Sequence, residues 1–145
     1  MAESRFVYVT LIRAGAQTIW DHLTDPQKNK AFWSGYSQQT SWRVGDDYAI
    51  VDSAGKAWDT GKVLEFDPPK RLSVSWLHLN NEAMTAEGHS TATFELEAAS
   101  DTVTKLTVTH SIGVGDSKLI GAVSIGWPMI LSSLKSLLET GEALS

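Results

Sequence analysis

The chain changes hydrophobic period several times, and each change marks an element. Arg5 to Ile12 is rich in β-branched and aromatic residues and reads as a strand. Ala16, Ile19, Trp20 and Leu23 then recur at helical spacing. Thr24-Asp25-Pro26 ends that helix, and Asp25 is placed to cap a second short one with Pro26 in its first turn. Ala31, Phe32 and Trp33 lie at the end of this helix, and Ser34-Gly35 breaks it. Strands separated by turns follow. The expected segments are Ser37 to Val44, Tyr48 to Asp52, and Ala57 to Phe66 with a bulge at Gly61. Asp67-Pro68-Pro69-Lys70 is a turn. Leu72, Val74, Trp76 and His78 alternate with Ser73, Ser75 and Leu77, the pattern of a half-buried strand.

Asn80 to Gly88 is polar and reads as a loop. Ala92, Phe94 and Leu96 alternate with threonines and glutamates in the next strand, and Ala98 to Thr102 turns. Leu106, Val108 and His110 then share one face. The last element predicted is a long helix from a cap near Asp116 to a stop at Gly141. Ile120, Val123, Trp127, Ile130, Leu134 and Leu137 or Leu138 form its apolar stripe. Pro128 either kinks this helix or starts a shorter one near Gly126, and the kinked long helix is favoured. Consecutive strands joined by short turns imply an antiparallel sheet and an α+β fold. The long helix is the element large enough to cover one sheet face.

The length of 145 residues fits one domain over 1–145. No apolar run of membrane-spanning length is visible, and Met1-Ala2-Glu3-Ser4-Arg5 lacks the pattern of a signal peptide. There are no cysteines, which removes disulfides and thiolate metal sites and is compatible with a reducing cytoplasm. A net charge of −5 with scattered basic residues argues against nucleic acid as a partner. An edge strand leaves a homodimer open.

Six tryptophans are spread along the chain, as core or as the lining of a cavity. Of the four histidines, His78 and His110 continue apolar strand faces, whereas His22 and His89 fall at the surface. A histidine among apolar residues either orients a ligand or is satisfied inside the core. No metal-ligand spacing, no carboxylate–histidine constellation, no nucleophile elbow and no phosphate loop is evident. No cofactor is implied. Asp52, Asp59, Glu65 and Asp67 fall on strand ends and turns, where solvated charges are normal.

The segments Ile19 to Pro26, Phe32-Trp33, Gly61 to Leu72, Val74 to Trp76 and Thr104 to His110, with Gly126-Trp127, Leu131, Leu134-Lys135 and Leu138-Glu139, carry a resemblance across nearly the whole chain. The chain resembles the START-like, birch-pollen-allergen-like helix-grip superfamily. Within it, the chain is similar to bacterial homologues of the heat-shock-protein-90 ATPase activator. The resemblance implies a curved antiparallel sheet gripping the C-terminal helix, two short helices closing one end, and a hydrophobic cavity between sheet and helix. It raises Trp33, Trp58, Trp76, His78, Phe94, His110 and Trp127 as candidate wall residues. The expected function is binding of a small apolar or amphipathic molecule by a cytoplasmic protein. The alternatives are a cyclase- or hydrolase-type enzyme using a cavity histidine, and a co-chaperone role. The last belongs to longer eukaryotic relatives in which a second domain contributes, and 145 residues leave no room for it.

Overall fold

Residues 2–144 are described by a computed structural model. The elements are β1 (Ser4–Ile12), α1 (Ala16–Thr24), α2 (Pro26–Phe32), β2 (Ser37–Thr40), β3 (Asp47–Val51), β4 (Ala57–Asp67), β5 (Arg71–His78), α3 (Glu82–Ala86), β6 (Ser90–Ala98), β7 (Thr104–Ile112) and α4 (Lys118–Thr140). The strands form one seven-stranded antiparallel sheet in the order β1-β7-β6-β5-β4-β3-β2. This is the helix-grip α+β fold: a curved sheet around a long C-terminal helix. The pleat sends Leu72, Val74, Trp76, Ala92, Phe94, Leu106 and Val108 to the inner face, where all are buried. From α4 they meet Leu119, Ile120, Trp127, Leu131 and Leu134. Removing this apolar area from water is the main favourable contribution to the fold.

Four local expectations change. The strand expected over Ser37 to Val44 stops at Thr40. Trp42 takes a left-handed backbone (φ 62°), with its indole donating to the Thr24 carbonyl and stacking on Phe66. Anchoring that ring inward turns the chain away from the sheet. The loop between β5 and β6 contains the short helix α3, capped by the Asn81 side chain on the Met84 amide. The cap of α4 is Ser117 rather than Asp116: Ser117 Oγ accepts from the Ile120 amide, while Asp116 sits at φ 51°, outside the extended region that a cap requires. Finally, the irregularities in β4 fall between Val63 and Glu65 against β5, and opposite Ile50 and Val51 against β3, not at Gly61. Gly61 is there for space, because a Cβ would stand 1.9 Å from the Ser75 carbonyl oxygen.

Helix α4 runs unbroken through Pro128 and ends at Gly141 in the left-handed region (φ 87°). By length and composition alone it could cross a membrane, but its inner face is packed into the sheet. Its N-terminus is tied to the α3–β6 loop. The Glu87 carboxylate accepts from the Ser117 hydroxyl and from the amides of Lys118 and Leu119. Burial pushes the Glu87 carboxyl up, but these bonds outweigh it and hold it below its ordinary value.

Candidate functional site: an aromatic cavity with a buried carboxylate–histidine pair

Helix α4 does not fill the sheet's concavity at the end beside α2 and α3. A cavity of about 620 Å³ remains, inside the range typical of small-molecule sites. Phe32 and Trp33 enter it from the end of α2, and Tyr36 from the following turn. Trp58 and Asp59 come from β4, Trp76 and His78 from β5, and Met84 from α3. Helix α4 contributes Val123, Gly126, Trp127 and Ile130. The exposed residues Met129 and Leu144 stand at its rim.

The rings hold one another edge to face. Trp127 lies 5.6 Å from both Trp33 and Trp76, and 5.3 Å from Phe94. The indole N–H of Trp58 goes to Asp52, that of Trp76 to Asp59, and that of Trp127 to His110. These three rings therefore present carbon surface to the cavity.

Of the seven residues singled out from sequence, Trp33, Trp58, Trp76, His78 and Trp127 line the cavity. Phe94 and His110 lie behind this wall. His110 is fully buried and satisfied on both nitrogens. The Trp127 indole can only donate, so His110 Nδ1 accepts it at 3.1 Å. Nε2 then carries the proton and donates to Ser90 Oγ at 2.8 Å, and Ser90 passes the chain on to the Trp76 carbonyl. Burial lowers the His110 pKa to about 4, so the ring is neutral at pH 7. His22 bonds back to the Thr18 carbonyl on α1, and His89 is exposed.

The sequence pattern puts Asp59 among solvated charges, and its position corrects that. It is 7% exposed, directly opposite His78 in the β4–β5 register. Its Oδ1 accepts from Trp76 Nε1 and from His78 Nδ1, both at 2.7 Å. Burial raises the Asp59 pKa, against the lowering effect of His78 and Trp76. A carboxylate–histidine pair therefore does exist. Next to it, Tyr48 is fully buried and donates to Gln38 Oε1; burial, and then the charge of Asp59, push its pKa well up. Among the described residues no group of three or more histidines, aspartates or glutamates is placed to hold a metal ion.

With this geometry in view, comparison with known proteins is decisive at the family level. Residues 13–139 match the family described as "Activator of Hsp90 ATPase homolog 1-like protein". The chain belongs to this family. Among solved structures, protein MLL2253 from Mesorhizobium loti is 25% identical with a TM-score of 0.78, covering 94% of this chain and 97% of that one. The Aha1 dimer from Colwellia psychrerythraea is 23% identical (TM-score 0.71; 97% and 99% covered). PFC0360w, an HSP90 activator from Plasmodium falciparum, is 17% identical (TM-score 0.75; 92% and 95% covered). A search of curated proteins gives no match. This Hsp90-activator-homologue domain thus shares its helix-grip fold with proteins of divergent sequence.

Proposed function

We propose that this protein binds a small apolar or amphipathic molecule in the cavity between the sheet and α4. The observation that carries the reading is a ring-lined space of about 620 Å³ with a hydrogen-bonded polar pair, Asp59 and His78, in its wall. Apolar contact with the rings supplies most of the affinity, and the polar pair sets orientation. The wall contributors are Trp33, Trp58, Trp76, His78 and Trp127, with Phe94 and His110 holding the inner rings from behind. The reading places the domain in the cytoplasm, in keeping with a sequence free of cysteine.

Native mass spectrometry of gently purified protein tests this. A stoichiometric extra mass, released on denaturation and diminished in Trp76→Ala, is the expected result. An apo mass in every preparation, together with capture of a chaperone that does not depend on the cavity, would favour the Hsp90-activator role of the P. falciparum relative. The C. psychrerythraea relative is a dimer. Here the edge strand β1, with Val7, Val9 and Leu11 exposed on its outer face, is a candidate surface for self-association.

A further inference from the structure

The Asp59–His78 contact sets the hydrogen-bonding character of the polar corner of the cavity. Asp59 Oδ1 is fully engaged by Trp76 and His78. Among the described residues, Asp59 Oδ2 and His78 Nε2 have no protein partner, and no unpartnered polar side-chain atom is sealed away from the surface. Both residues line the cavity. Asp59 Oδ1 accepts from His78 Nδ1–H, and in this Nδ1–H tautomer the free Nε2 is an acceptor, as is the second carboxylate oxygen. Two acceptors from adjacent strands are thus offered at one corner, within a wall whose Trp58, Trp76 and Trp127 rings present carbon. Neither acceptor can readily swing away. Asp59 is pinned by the Trp76 indole and His78 by Asp59, and the strand register fixes both. Preorganised acceptors that a bound ligand covers discriminate strongly, because a ligand without a donor leaves them unpaired.

We propose that the cavity selects molecules whose apolar body carries a hydrogen-bond donor, a hydroxyl or amino group, received by Asp59 Oδ2 and His78 Nε2. The inference rests on the cavity being a ligand site and specifies which ligands it accepts. An ether or hydrocarbon of the same shape satisfies the rings and leaves the corner unpaired. A hydroxyl satisfies the imidazole acceptor, and an ammonium group in addition neutralises the Asp59 charge.

Isothermal titration calorimetry of the full chain with 1-naphthol, 1-methoxynaphthalene and 1-naphthylmethylamine tests this. 1-Methoxynaphthalene keeps the oxygen and the rings but cannot donate. Expected is binding of 1-naphthol about tenfold tighter than the ether, the scale of one well-placed hydrogen bond to a buried acceptor. His78→Phe should reduce that preference while leaving ether binding within about threefold. Asp59→Asn should weaken the amine more than the alcohol, and circular dichroism shows whether each variant is folded. An amine bound more tightly than the alcohol assigns the main role to Asp59, and the reverse order assigns it to His78; either supports the proposal. Equal affinity of alcohol and ether in the unaltered protein, or a preference that survives unchanged in both folded His78→Phe and folded Asp59→Asn, overturns the donor rule while leaving the cavity reading intact. Binding of none of the three probes overturns both.

Discussion

His110 makes the stability of this protein pH-dependent between about pH 4 and 6.5. In the folded chain it is neutral, sealed between Trp76, Trp127 and Ser90, and its pKa falls from 6.5 to about 4 because burial disfavours the charged ring. In the unfolded chain it titrates near its ordinary value. Above about pH 6.5 neither state binds the proton, and the full stability is present. As pH falls below that, the unfolded chain takes up a proton that the folded chain refuses, and stability declines until the folded ring also titrates near pH 4. Each pH unit in this window is worth about 1.4 kcal/mol, so His110 alone removes about 3 kcal/mol. His110→Gln supplies the comparison. A glutamine carbonyl can accept the Trp127 indole and its amide can donate to Ser90, but it does not titrate. Urea unfolding at pH 7, 6, 5 and 4.5 should show the native protein losing stability faster than His110→Gln, with the gap approaching about 3 kcal/mol near pH 4. The carboxylates are common to both proteins and cancel in the difference. Parallel curves would refute the reasoning, since they would mean that folded His110 binds its proton as readily as the unfolded chain does.

Other perturbations give equally definite outcomes. Gly61→Ala forces a methyl group onto the Ser75 carbonyl and should destabilise by at least about 2 kcal/mol in chemical denaturation. Trp76→Phe keeps most of the ring area but deprives buried Asp59 of its indole donor; a loss of about 1–3 kcal/mol is expected, readable as a lower urea midpoint. Glu87→Ala frees the first amides of α4 and should cost about 1 kcal/mol, with faster hydrogen exchange at Lys118 and Leu119 than in the unaltered protein.

The alternation of Leu72, Val74, Trp76 and His78 was readable because one sheet face is buried and the pleat has a period of two. The long helix was equally legible, since its apolar stripe had to find a partner. The Asp59–His78 pair was not. Near the turn, β4 and β5 pair Asp67 with Arg71, Phe66 with Leu72 and Glu65 with Ser73, and carrying that register outward would set Asp59 against Leu79. The irregularity between Val63 and Glu65 shifts the pairing by one residue and brings His78 opposite instead. The stretch Val63-Leu64-Glu65 carries no glycine to mark this bulge, so the pair is invisible along the chain even though both residues lie on predicted strands. His110 shows the converse. Its place on an apolar face was clear, but only the indole of Trp127 and the hydroxyl of Ser90 decide that it belongs to the core. The false cap at Asp116 has a similar origin: aspartate and serine are both good caps, and the left-handed turn at 116 selects the serine.

The last residues bear on how the protein should be handled. After Gly141 the chain folds back along α4, where the Leu144 amide donates to Ser133 Oγ and the Leu144 side chain reaches the cavity rim. Any affinity tag, fluorophore or fusion partner joined after this point begins at the mouth of the cavity and competes with whatever enters it. The other terminus is anchored elsewhere, with Ser4 hydrogen-bonded to Val114 and to the amide of Ser117 at the start of α4. Among the described residues, none near the N-terminal end lines the cavity, so an N-terminal handle is the control against which a ligand screen on C-terminally tagged protein should be read.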